Sequence, residues 1–180
     1  MVKASPVGSI YAGTVHPGKY LVLVSGDTAS VDEAYGTGLR VEPASVLDSV
    51  FLADVHPAVV DAMTADHETA TLTGEAIGIV EADRVATIIE AADAGRKAAL
   101  VELSAVRLAD GLGGKAYLLF SGEIAEVEAA VETAVDRTVD AGHLLQSRII
   151  AQFHPEMAAN LASDLRFVPR IVLRPVERET

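Results

Sequence analysis

The chain contains no cysteine and no tryptophan, only 4% of its residues are aromatic, and its 14 basic side chains are outnumbered by 26 acidic ones. Without cysteine there can be no disulfide, no thiolate zinc or iron-sulfur site and no cysteine nucleophile, and a reducing compartment is expected. The net charge of -12 opposes the phosphate neutralisation on which nucleic-acid affinity depends, so neither DNA nor RNA is an expected partner. No run approaches the ~18 apolar residues of a spanning helix, and Lys3 is followed by Ala-Ser-Pro-Val-Gly with no apolar stretch. No membrane partner and a cytosolic location are expected.

Half of the 180 residues are hydrophobic, and with so few aromatics the core must be built from Ala, Val, Leu and Ile at close backbone spacing. The length suits one or two domains. An internal repeat decides the organisation. Lys19-Tyr-Leu-Val-Leu-Val-Ser-Gly-Asp27 recurs 96 residues later as Lys115-Ala-Tyr-Leu-Leu-Phe-Ser-Gly-Glu123. Val31-Asp-Glu-Ala34 answers to Val127-Glu-Ala-Ala130, and Lys3-Ala-Ser-Pro-Val7 to Lys97-Ala-Ala-Leu-Val101. Phe51-Leu-Ala-Asp-Val-His-Pro57 answers to Ile149-Ile-Ala-Gln-Phe-His-Pro155. Small loop insertions account for the drift in spacing.

The second copy predicts a strand over Ala76–Glu81, a helix over Arg84–Ala99 with Val85, Ile88, Ile89 and Ala92 on one face, and strands over Val101–Leu108 and Lys115–Ser121 around Asp110-Gly-Leu-Gly-Gly114. A helix from Ile124 to Val139 and a strand over Leu144–Phe153, ended by His154-Pro155, complete the order β-α-β-β-α-β. That order is the mixed α/β (α+β) ferredoxin-like sandwich, with two helices on one face of an antiparallel sheet. The first copy, residues 1–63, lacks the opening strand and most of the first helix, because Val2-Lys3 aligns with Arg96-Lys97. Either the start is placed too late or another segment fills the gap, a candidate being the tail strand around Ile171–Leu173, confined by Pro169 to an edge or a bulge. Unfilled, the first sheet is expected to expose an apolar face. Residues 64–74 read as a polar linker, 75–160 as the second domain and 161–180 as an extension.

These blocks, above all Ala76-Ile-Gly-Ile-Val-Glu81, Ile89-Glu-Ala-Ala-Asp-Ala94, Lys97-Ala-Ala-Leu-Val-Glu102, Gly113-Gly-Lys115 and Ser121-Gly-Glu-Ile-Ala-Glu-Val127, resemble the bacterial microcompartment shell proteins, in particular the trimer-forming tandem-domain branch (BMC-T). The resemblance covers most of the chain. It implies tandem BMC sandwiches, a homotrimer forming a pseudohexagonal plate, tiling with other shell proteins around encapsulated enzymes in the bacterial cytoplasm, a structural role without catalysis, and no cofactor. It also implies that Thr14, Val15, His16, Pro17 and Gly18, with Ala109, Asp110, Gly111, Leu112, Gly113 and Gly114, line a central pore for metabolites. Lys97 and Lys3 fall where the family keeps a tiling-edge lysine, although Asp54 and Gln152 stand where its edge arginine is common. The plainer alternative for both lysines is a solvated cation at a helix end.

Other constellations carry less. Gly13-Thr-Val-His-Pro-Gly18-Lys19 fits the P-loop spacing, but Tyr20 replaces the magnesium-binding Ser or Thr and a strand follows where a helix is required. His16 precedes Pro-Gly-Lys at a loop where some family members hold a metal through cysteine, yet a lone His is more often structural, and no metal is expected. His56 and His154 have no triad partners, and Glu81, Glu90, Asp93 and Glu102 fall on different elements, so no paired-carboxylate site is indicated. A small-molecule-binding or catalytic ferredoxin-like domain remains the alternative function, since fold alone does not separate the two.

Overall fold

The computed structural model describes residues 1–64, 72–109 and 111–161. The tail strand proposed as a filler, most of the linker and Asp110 lie outside the described residues. In chain order the elements are strands β1 (Ser9–Val15) and β2 (Lys19–Ser25), helices α1 (Thr28–Val41) and α2 (Pro57–Thr64), strand β3 (Ala76–Ala82), helix α3 (Val85–Ala98), strands β4 (Glu102–Leu108) and β5 (Ala116–Gly122), helix α4 (Ile124–Asp140), strand β6 (Leu144–Ala151) and helix α5 (Pro155–Leu161).

The second unit forms an antiparallel sheet in the order β4-β5-β3-β6, the ferredoxin-like arrangement expected from the element order. Its strands alternate. Ala76, Val80 and Ala82 of β3 and Leu118 and Phe120 of β5 face α3 and α4, whereas Ile77 and Leu119 face the other side with Ala105. On the helix side, Ile88, Ala91 and Ala92 of α3 and Val127, Ala130, Val131 and Ala134 of α4 close the core. The small side chains bring the two helices together. A Cβ on Gly95 would lie 2.5 Å from Phe120 Cζ and 2.8 Å from the Ala130 carbonyl oxygen. A Cβ on Gly78 would lie 2.3 Å from a Val131 methyl. Both glycines are set by proximity, with Gly95 in the helix–helix seam and Gly78 under α4.

The first unit has the counterparts of β4, β5 and α4 in β1, β2 and α1, and the expected gap is visible in its packing. β1 and β2 form an isolated hairpin in which Ile10 is paired with Val24 and Thr14 with Tyr20. On that face Ile10, Tyr20 and Val22 are 41%, 63% and 46% exposed, where the equivalent Ala116, Leu118 and Phe120 face of β5 is buried. Only Ala34 of α1 is buried, against five residues of α4. Residues 46–56, equivalent to β6, form no strand. The reason is topological: β6 takes its hydrogen bonds from β3, and the first unit contains no counterpart of β3 among the described residues.

One expectation is corrected. His56-Pro57 and His154-Pro155 start helices as well as ending extended segments. Pro suits the first helical position, where its missing N–H is no loss. The preceding imidazole accepts a backbone hydrogen bond in each case, His56 Nδ1 from Ala58 at 3.1 Å and His154 Nδ1 from Glu156 at 3.2 Å. α2 packs against β4 and buries Val59 completely, so the first unit completes the core of the second.

The α3–α4 seam yields a prediction. Gly95→Ala improves helix propensity, yet it pushes a methyl against a backbone carbonyl that cannot move aside; overpacking of this kind costs roughly 1–3 kcal/mol. Urea unfolding should show the variant less stable, with unchanged secondary structure by circular dichroism.

Candidate functional site

The two glycine-bearing loops singled out in the sequence meet. The β1–β2 turn, His16 to Gly18, is exposed, with the His16–Pro17 bond cis and Gly18 at a φ of 76°. The β4–β5 loop is pinned by Ala109 N–H to Lys115 O at 2.9 Å and Leu112 N–H to Ala109 O at 3.0 Å. Gly114 is the contact point. Its φ is 79°, and a Cβ there would lie 2.8 Å from Pro17 Cδ and 3.1 Å from Lys19 Nζ. Glycine is needed twice over, for the left-handed backbone and for the close approach.

Lys19 makes this contact a joint. Its ammonium crosses from the first unit to donate to the Gly114 carbonyl at 2.8 Å and the Asp83 carbonyl at 3.2 Å. The lysine of the P-loop-like spacing therefore satisfies main-chain carbonyls, and β2 follows it where a nucleotide site would place a helix.

Two carboxylates extend the joint along α3. This helix has Arg84 at its N-cap with no side-chain cap of its own. Asp48 of the first unit supplies one, its Oδ2 accepting from the Thr87 backbone N–H at 2.9 Å and from the Thr87 hydroxyl at 3.0 Å. Asp93 is buried, and both its oxygens are used: Oδ1 accepts from the His56 backbone N–H and Oδ2 from Lys97 Nζ, each at 2.7 Å. Lys97 also donates to the Asp54 carbonyl. Asp48 carries no signal in the sequence and Asp93 reads there only as one of several scattered carboxylates, because their partners are backbone groups 37 to 39 residues away and no motif encodes that.

Of the predicted loop residues, Thr14, His16, Pro17, Gly18, Gly111 and Gly113 are exposed, Val15 and Leu112 are half-buried, and Gly114 is buried. Ala109 is fully buried and packs into the core, so it supports the loop from beneath. Lys3 is exposed, near the start of the chain. Lys97, at the end of α3, keeps 42% of its side chain exposed while engaged with Asp93. It adjoins an open cleft of about 400 Å³ lined by His56, Arg96, Lys97, Leu100 and Glu126 among others. Among the described residues no group of three potential ligands could hold a metal ion, and no helix is long and apolar enough to cross a membrane.

Among the described residues two ionisable groups are displaced from their usual range. The Asp27 carboxyl is lowered by its hydrogen bonds to Ser30 as it caps α1. Burial raises the Tyr117 hydroxyl, with Arg107 opposing the shift. Neither belongs to a catalytic arrangement.

A complete ferredoxin-like unit preceded by a partial copy of itself, joined through paired loops, defines a tandem repeat protein whose contact surfaces are its own units. The chain belongs to the BMC domain family, which matches residues 1–65 and again 76–153. It is 33% identical over 157 residues to the bacterial microcompartment shell protein PduT of Citrobacter freundii, covering 87% of this chain and 84% of that protein. The carboxysome shell protein CsoS1C of Halothiobacillus neapolitanus is 38% identical over 89 residues, 49% of this chain and 89% of its own length. Among solved structures, a microcompartment protein from Desulfitobacterium hafniense superposes with a TM-score of 0.76 at 35% identity, covering 88% of this chain and 87% of the other. A fused permuted hexameric shell protein of the RMM microcompartment, at 21% identity and a TM-score of 0.52 over 78% of this chain and 74% of that one, shares the fold.

The trans-acting cap can be tested directly. Asp48→Ala leaves the Thr87 N–H without its carboxylate and should cost about 1 kcal/mol, as loss of a helix N-cap does. Chemical denaturation should show the loss, and amide exchange should quicken in the first turn of α3.

Proposed function

We propose that the chain is a structural subunit of a bacterial microcompartment shell, assembling as a homotrimer whose three pairs of units form a pseudohexagonal plate. The observation that carries this reading is the joint itself. It sets the loops 14–18 and 109–114 side by side through Gly114, Pro17 and Lys19. Three copies arranged about one axis would present six such loops in a ring. His16, Pro17 and Gly18, with Gly111, Leu112 and Gly113, would then form the rim of a central pore for metabolites. By sequence Asp110 belongs to the same stretch, and a carboxylate contributed to that ring would favour cations over anions at a narrow constriction. Thr14, Val15, Ala109 and Gly114 hold the rim in place.

Lys97 and Lys3 lie toward the perimeter in this arrangement, where plates meet edge to edge with other shell proteins, and encapsulated enzymes face one side of the assembled layer. The relatives' names describe shell proteins of microcompartments and carboxysomes, and their role is taken here for this chain, in the bacterial cytoplasm. Residues 1–63 and 75–160 serve as the two units, with 64–74 linking them.

Light scattering should give three times the 18.8 kDa of the chain, and electron microscopy of the concentrated protein should show sheets or tubes. A monomer across the micromolar range, particularly one with saturable small-molecule binding, would sink the proposal.

A further inference from the structure

The internal repeat turns the joint within one chain into a template for a joint between chains. Lys115 is the repeat equivalent of Lys19, and Gly18 that of Gly114. Lys19 reaches from the first unit into the second, where Gly114 and Asp83 supply carbonyls. Lys115 occupies the same position on the second unit, and no third unit stands beside it among the described residues. Its ammonium instead pairs with Glu81 at 3.2 Å, with 49% of the lysine side chain and 33% of the glutamate exposed.

We propose that Lys115 joins one copy of this chain to the next: its ammonium leaves Glu81 and donates to the main-chain carbonyl of Gly18 in a second copy, repeating the Lys19 to Gly114 contact. The inference rests on the shell reading and names the contact that closes its ring. Breaking the existing pair costs little, because water screens an exposed ion pair and solvates both partners once they part. A cation donating to a carbonyl in a part-buried joint, as Lys19 does, gains more.

The same mapping supplies a second polar contact. Lys97 of the second unit donates to the Asp54 carbonyl of the first. Lys3 is the equivalent of Lys97 and Gln152 that of Asp54, and both are exposed. Lys3 of the second copy therefore faces the Gln152 carbonyl of the first. The acceptors of both lysine contacts are backbone carbonyls, which are present whatever side chain the position carries. The counterparts of Asp83, Thr87 and Asp93 are absent from the first unit among the described residues. Lys115 and Lys3 are thus the polar contacts that this chain brings to the joint. The contact is head to tail, with different surfaces on the two copies, so it generates a closed ring or an open chain of copies and never a two-fold dimer.

Sedimentation velocity on the full chain over a concentration series tests this. Lys115→Ala should weaken self-association by at least about tenfold per joint. Its melting temperature, measured at a dilution where both proteins are dissociated, should match the wild type, because the side chain makes no core contact. Glu81→Gln releases Lys115 and should associate at least as tightly as the wild type. A wild type that associates while Lys115→Ala associates equally well overturns this contact and leaves the shell reading intact. Glu81→Gln weakening association as much as Lys115→Ala also overturns it, since the ion pair itself would then be what matters. A wild type that does not associate at all overturns both.

Discussion

Everything in the second unit depends on β3, because β5 and β6 take their hydrogen bonds from its two edges and α3 and α4 lie on its face. A strand cannot pair without a neighbour, and a sheet face cannot be buried without a cover. The first unit, which has no such strand among the described residues, bears the consequence. Its hairpin stands alone, its β6 counterpart forms no strand, and its helix buries one residue. Two repeated sequence blocks thus take on unequal structural weight. The difference arises from what surrounds them, since Val22 and Leu118 are both apolar strand residues at equivalent positions.

The two units are held together by polar side chains of each that are directed at the main chain of the other. Lys19 donates to two carbonyls, Asp48 caps α3, and Asp93 receives the His56 N–H. Each removes an otherwise unsatisfied backbone group from the joint, and buried polar groups are costly when left unpaired. α2 adds the apolar part by burying Val59 against the core of the second unit. The resulting contact joins unlike surfaces of like units, which is the geometry that can be repeated from copy to copy.

Much of this was legible in the residues. The repeat, the strand and helix order of the second unit, and the Gly113-Gly-Lys115 loop all derive from periodicity and spacing, and the gap in the first unit from aligning Val2-Lys3 with Arg96-Lys97. α2 and α5 were missed because His-Pro reads as a strand terminator, while the capping role of the imidazole depends on how the chain turns after it. The roles of Asp48 and Asp93 were missed because nothing in a sequence marks a carboxylate whose partner is a distant backbone amide.

The sequence by itself determined the class of fold, the two-unit organisation and the family, because those rest on local pattern: apolar periods, glycines at turns and a repeated block. Tertiary structure alone decided which lysine crosses between units and which stays with a neighbouring glutamate, although Lys19 and Lys115 occupy the same place in the repeat. It also decided that Gly95 must be glycine, since only the distance to the Ala130 carbonyl reveals the constraint. The physical reason is the same in each case: contact energies depend on the separation of groups far apart in the chain, and local pattern carries no record of that separation.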